Sequence, residues 1–218
     1  MTRRRFETIG DLPDTIAIFP LPGALLFPGG LLPLNIFEPR YLNMIDDAMA
    51  GDRLIGMVQA LGGGPKHHPE IAAVGTLGEI VSHSETEDGR YLITLRGVSR
   101  FEVVQEPPLE LPYRTAEVSW DVYEKDLQPD RSLAVEPPEL FIAEMDEYLA
   151  RNDLSVDRTS VEDAPLDALV NALAMGCPFA PIEKQALLEA RDLKARMECL
   201  IALFRTDTSG NGAPKWQN

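Results

Sequence analysis

The chain has 218 residues, 44% hydrophobic and 25% charged, a composition that excludes a disordered polymer and suits one large domain or two small ones. Thirty-five acids against twenty Lys and Arg leave a formal net charge of −15, which sets the average surface against nucleic acid phosphates. The two cysteines, Cys177 and Cys199, are too few for a disulfide framework or a four-ligand zinc site.

At the N-terminus, Thr2-Arg3-Arg4-Arg5-Phe6 superficially suits a twin-arginine export signal. Glu7, Asp11 and Asp14 intervene before any apolar stretch. The stretch that follows, residues 16–37, is cut by Pro20, Pro22, Gly23, Pro28, Gly29, Gly30 and Pro33. Such a segment makes neither a signal h-region nor a membrane-spanning helix, so the expectation is a cytoplasmic protein with a solvated basic tail. Prolines confine strands to edges or ends, which predicts short extended pieces joined by turns over this stretch. Apolar side chains left exposed at such an edge would suit extended, apolar peptide segments. Phe27, Leu31, Leu32 and Phe37 are the candidates, each equally compatible with a place in the core.

Next, Pro39 suits the first turn of a helix, Tyr41, Leu42, Ile45 and Met49 form an apolar stripe, and Gly51 closes the end. Glu38 and Arg40 are expected to fix this strand-to-helix junction. Residues 54–59 are a short, nearly all-apolar run that reads as a central strand. Residues 91–103 place Tyr91, Ile93, Leu95, Phe101 and Val103 at odd positions, the period of a strand with one buried face. Gly97 marks a bend in it, and Arg96 projects from its polar face as an ion-pair partner. Glu87-Asp88-Gly89-Arg90 supplies a hairpin turn toward a partner strand over residues 74–82. A further strand over 115–122 alternates, with Ala116, Val118, Trp120 and Val122 inward.

From about residue 124 the period becomes helical. Phe141, Met145, Tyr148 and Leu149 share one face, as do Leu166, Leu169, Val170 and Leu173, with Gly176 and Pro178 ending the second helix. Pro181 opens a third, and Asp192 caps a last one carrying Leu193, Met197, Leu200, Ile201 and Phe204. The fold class is therefore α+β: a curled, barrel-like sheet with one early helix over 1–122, a helical bundle over 123–206 and a flexible tail over 207–218. Ten acids between residues 136 and 167 stand against Arg151 and Arg158 alone, a solvated helix face or a repulsive wall.

No motif carries chemistry. Gly97-Val98-Ser99-Arg100-Phe101 lacks the final glycine of a nucleophile elbow and lies inside a strand. Gly62-Gly63-Gly64-Pro65-Lys66-His67 has neither the spacing nor the hydroxyl of a phosphate loop. His67 and His68 are adjacent, a poor chelating pair, and His83 stands alone. Cys177 follows a helix end, and Cys199 sits between Glu198 and Leu200 on the last helix, the place of a packed thiol. No catalytic residue, metal site or cofactor is expected. A hydrolase would need convergent carboxylates or a base-paired nucleophile in a pocket.

Three stretches together resemble the N-terminal, substrate-binding domain of Lon proteases, as found in stand-alone Lon-domain proteins. They are Phe19-Pro20-Leu21 with Phe27-Pro28-Gly29 and Leu32-Pro33-Leu34; Ile36-Phe37-Glu38-Pro39-Arg40-Tyr41; and Asp88-Gly89-Arg90-Tyr91 through Leu95-Arg96-Gly97-Val98-Ser99-Arg100-Phe101. Pro181-Ile182-Glu183-Lys184-Gln185-Ala186-Leu187-Leu188-Glu189 is similar to the start of that domain's closing helices. The resemblance implies a PUA-like β-domain followed by a helical bundle, with Pro20, Pro28, Gly29, Glu38, Arg40, Arg96 and Gly97 as structural positions. It implies a non-catalytic module that binds unfolded or extended polypeptide, without the Lon ATPase and protease modules. The PUA-like fold also raises an RNA reading, against which the charge of −15 weighs. The alternative is an adaptor that docks on a folded partner through the acidic helical half.

Overall fold

Alternation of apolar and polar residues decides the first half of the chain. The computed structural model describes residues 6–65, 68–128, 137–156 and 164–206. A 3-10 turn, Ile9–Asp11, leads into strands β1 (Thr15–Pro20) and β2 (Leu31–Ile36), then helix α1 (Pro39–Ala50). Strands β3 (Leu54–Ala60), β4 (Ile71–Glu85), β5 (Tyr91–Gln105) and β6 (Arg114–Ser119) follow, and a 3-10 helix, Asp121–Leu127, ends the run. Among the described residues the six strands form one sheet in the order β2-β5-β4-β3-β1-β6, with β6 also pairing β5. β1 and β3 run parallel, and the other pairings are antiparallel. A parallel pair needs a long crossover, and β2 and α1 lie within it.

Strand β5 serves two neighbours along one edge. Its first half pairs β2, from Ile36 opposite Tyr91 to Leu31 opposite Arg96, and its second half pairs β6 at Glu102–Ser119 and Val103–Val118. Gly97 is where it changes partner. Gly29 N–H donates to Gly97 O at 2.9 Å, and Gly97 N–H donates to Gly30 O at 3.0 Å. A Cβ at Gly97 would stand 2.0 Å from Phe27 O. The bend expected at Gly97 is thus a site of backbone-on-backbone contact that only glycine permits. The same contact corrects the reading of Phe27 as a surface candidate. Its carbonyl is held over Gly97, and its side chain is fully buried at 0% exposure.

The inner face of the sheet carries Ile16, Ile18, Val58, Leu77, Phe101, Ala116 and Trp120 as one core cluster. Ile93, Leu95 and Phe101 are buried as the period of two predicts. Ala116, Val118 and Trp120 are buried too, but Val122 is 63% exposed. The strand stops at Ser119 and the 3-10 helix breaks the alternation, which turns Val122 outward. In α1 the buried face is Tyr41, Met44 and Ile45, a small rotation from the expected stripe that leaves Leu42 and Met49 half-buried. Tyr91 donates to Asp46 at 2.8 Å and Tyr113 to Asp47 at 2.7 Å, which ties the helix to the sheet. Burial and the Asp47 hydrogen bond push the Tyr113 phenol up to about 12.

Four helices follow among the described residues: α2 (Glu139–Arg151), α3 (Leu166–Gly176), α4 (Pro181–Glu189) and α5 (Leu193–Thr206). Two compact units result, Met1–Pro129 with Pro178–Leu188, and Asp130–Cys177 with Glu189–Asn218. The division expected at residue 122 is revised twice. Residues 123–127 stay with the sheet, because Arg100 makes a bidentate pair with Asp126, at 2.8 Å from both Nε and Nη2, and stacks over Tyr123. Residues 178–188 return to the sheet, because polar side chains bind α4 there. Arg100 Nη1 donates to Leu188 O at 2.9 Å, Gln185 Nε2 to Val74 O at 3.1 Å and Gln59 Nε2 to Pro181 O at 2.9 Å.

In the second unit the predicted faces are buried, Phe141, Met145, Tyr148 and Leu149 of α2 and Leu166, Leu169, Val170 and Leu173 of α3, and both helices pack on α5. Phe204 of α5 lies against Phe141 and Tyr148, and Arg196 donates to Asn171 at 2.8 Å. Asp192 caps α5 by accepting from Ala195 N–H. Cys177 ends α3 and is buried. The expected tail over 207–218, the N-terminal arginines, His67, and four of the ten acids (Glu136, Asp157, Glu162 and Asp163) lie outside the described residues.

Two outcomes follow for stability. Gly97→Ala should lower the unfolding free energy by about 3 kcal/mol or more, read by urea titration, since its methyl group has only backbone to displace. The Tyr113 phenol keeps its proton in the folded chain above the pH at which it loses it unfolded. Its stabilising contribution is complete below pH 10 and is lost as pH rises toward 12, so stability should fall across that window. Tyr113→Phe should flatten the fall when thermal midpoints are compared across it.

Candidate functional site: an apolar groove on the sheet unit

The ends of two strands and the first turns of two helices converge on one side of the sheet unit. They enclose a groove of about 820 Å³. The end of β1 contributes Phe19 and Pro20, followed by Leu21 and Pro22; β2 and the residues after it contribute Leu34, Ile36, Phe37 and Glu38. Arg40 and Tyr41 enter from α1, Leu61 from the residues after β3, and Pro181 and Ile182 from α4. Pro20 and Pro22 have no N–H to offer a neighbouring strand; Leu21 N–H, between them, donates to Val58 O at 3.0 Å, and past it the chain forms a wall of the groove.

The interior of the groove is ordered. The Phe19 and Tyr41 rings lie 4.3 Å apart, and the Arg40 guanidinium stacks 4.4 Å from the Tyr41 ring centre. Burial raises the Tyr41 phenol above its ordinary value, against the lowering effect of Arg40. Arg40 reaches Glu38 Oε2 through Nε at 3.0 Å and through Nη2 at 2.9 Å. Glu38, just before α1, and Arg40, in its first turn, thus pair at the strand-to-helix junction and offset each other's charge at the groove wall.

Three apolar side chains stand open in this concavity: Phe37 at 64% exposure, Ile182 at 73% and Leu61 at 38%. Each leaves apolar surface in water at roughly 25 cal/mol per Å², which a ligand recovers by covering it. The titratable lining side chains are Glu38, Arg40 and Tyr41. Among the described residues, no group of three or more His, Cys, Asp or Glu side chains could hold a metal ion. What the groove offers chemically is apolar contact and shape.

Of the four apolar candidates, the groove takes only Phe37. Leu31 is 58% exposed but sits at the far end of β2 opposite Arg96, Leu32 is half-buried opposite Leu95, and Phe27 is in the core. Pro20 lines the groove; Pro28 and Gly29 bridge to Gly97; Arg96 pairs with Glu79 at 3.0 Å. Leu61 and Ile182 were not read as site residues. Residue type points the other way for Ile182: on α4 it is exposed while Lys184 and Gln185 are buried, the reverse of an ordinary amphipathic helix, so only the structure finds it. Leu61 carries no local signal either.

The sheet unit thus carries an apolar groove whose open side chains are Phe37, Leu61 and Ile182. Residues 15–205 match the family model for the ATP-dependent protease La (LON) substrate-binding domain, and the chain belongs to that family. It is 29% identical over 201 residues to Lon protease 2 of Myxococcus xanthus, covering 89% of this chain and 24% of that one. It is 26% identical over 204 residues to the Lon protease of Desulfosudis oleivorans, covering 88% and 24%. The chain thus spans about a quarter of the length of these curated relatives. Among solved structures it is similar to a Lon N-terminal domain protein from Xanthomonas campestris, with a TM-score of 0.62, 25% identity, and coverage of 86% of this chain and 97% of that one. The N-terminal domain of Mycobacterium avium complex Lon protease shares the fold at a TM-score of 0.58 and 17% identity, over 88% and 99% of the two chains. The similarity falls on the substrate-binding part of Lon, which fits a module of substrate recognition. Among the described residues no helix is long and apolar enough to cross a membrane.

Proposed function

We propose that this domain binds unfolded or extended polypeptide segments in the groove, without itself breaking a bond, and that it works in the cytoplasm. The observation that carries the reading is the gathering of Phe37, Leu61 and Ile182, from three distant parts of the chain, as open apolar side chains around one concavity. Membership of the substrate-binding family supports polypeptide as the ligand class. Glu38 and Arg40 face each other, so the groove leaves apolar contact to supply the affinity.

A fluorescein-labelled neutral decapeptide of Leu, Phe, Ser and Gly, followed by anisotropy, tests this. Phe37→Ser and Ile182→Ser should each weaken binding by about tenfold, the loss expected when an aromatic or large aliphatic anchor is removed. Val122→Ser, which alters an exposed apolar side chain outside the groove, should leave binding unchanged. Equal affinity of the Phe37→Ser/Ile182→Ser double variant and the parent would sink the groove as the site. Raising salt from about 50 to about 500 mM should move the dissociation constant by less than about twofold, because no unpaired charge is called on. A steep salt dependence would point instead to the acidic helices and a charged partner.

A further inference from the structure

The two walls of the groove are tied together beneath it by polar side chains that are themselves buried. Gln59, at the end of β3, is 1% exposed and spans from one wall to the other. Its Oε1 accepts from Gly23 N–H at 2.8 Å, just after the wall segment Pro20–Pro22, and its Nε2 donates to Pro181 O at 2.9 Å, where α4 begins. Lys184, one turn into α4 and 8% exposed, donates from Nζ to Gly23 O at 3.1 Å. Gly23 is therefore held through both its N–H and its C=O, from the strand and from the helix.

We infer that Gln59 and Lys184 are positioning residues that set the separation of the groove walls, and so the polypeptide segment the groove accepts. The inference rests on the groove being the polypeptide site. Its physical basis is the direction of the bonds. Ile182 enters the groove from α4 and Leu21 from the opposite wall, and neither has a covalent neighbour that fixes the gap between them. Helix α4 is also the one stretch of this unit that is reached from, and left into, residues of the other unit. Its placement against the sheet is held by these side-chain bonds together with its buried Leu187 and Leu188. A buried amide that satisfies one group on each wall holds a distance, whereas an apolar contact in its place would slide. Apolar residues do the recognising here, and buried polar residues keep them apart at the width recognition needs.

The test uses the full chain and the same labelled decapeptide. Gln59→Met and Lys184→Met, which keep side-chain volume without the bonds, should each weaken binding by about tenfold in folded protein. Lys184→Arg keeps a donor within reach of Gly23 O and should stay within about threefold of the parent. Hydrogen exchange should quicken at residues 21–24 and 182–185 in both methionine variants. If Gln59→Met does not fold, the Lys184→Met and Lys184→Arg pair decides. Parent-like affinity in the methionine variants, in a protein whose Phe37→Ser form has lost binding, overturns the positioning role alone. Lys184→Arg binding as poorly as Lys184→Met does the same, since loss without rescue marks general packing. Parent-like binding by Phe37→Ser would instead remove the groove reading, and the positioning role with it.

Discussion

The architecture hangs on one place where two stretches of backbone touch with no side chain between them. At Gly97 the carbonyl of Phe27 comes so close that a methyl group would overlap it. Because that contact is allowed, β5 can hand its free edge from β2 to β6 partway along. β2 is thereby held against the first half of β5, and the residues that follow it, Phe37 to Tyr41, are delivered to the groove. A larger residue at position 97 would push the 27–30 turn away and take the start of β2 with it.

Around α4 the distribution of polar and apolar side chains is inverted relative to a simple globular surface. Gln59, Lys184, Gln185 and Arg100 are buried, while Phe37 and Ile182 are in solvent. Burying hydrogen-bonding groups is tolerable only when partners are supplied, and each of these four has a main-chain carbonyl in place. Exposing Phe37 and Ile182 forgoes burial energy in the unbound domain. The arrangement makes sense for a surface whose apolar contacts are completed by something else, with an internal polar frame that does not depend on that ligand.

Much of the fold was legible from local pattern. The period of two over residues 91–103, the turn at Asp88-Gly89, the proline-initiated α1 and the buried faces of α2 and α3 all match, because each depends on near neighbours along the chain. Where the reading failed, a long-range contact overrode a local one. Phe27 and Phe37 both sit in the proline-broken stretch over residues 16–37, yet one is in the core and the other in solvent. Their neighbours differ, Leu25 and Leu26 before Phe27 against Asn35 and Glu38 around Phe37, but only the close approach at Gly97 fixes Phe27 inside. The domain boundary was misplaced for the same reason: α4 looks like the next helix of a bundle, and only the partners of Gln185 and Arg100 across the sheet show where it belongs.

Composition and periodicity along the chain are enough to yield the α+β class, the order of elements and a resemblance carried by motifs scattered over most of the chain. These are properties of composition and of periodicity, which short-range sterics and burial enforce. Which apolar residues line the groove is settled only by the long-range contacts of the folded chain. The groove is made by positions near 20, 37, 61 and 182, whose proximity is set by sheet register and by buried hydrogen bonds between segments as distant as Gln59 and Pro181. No linear pattern encodes that distance, because it is the sum of pairings made elsewhere in the fold.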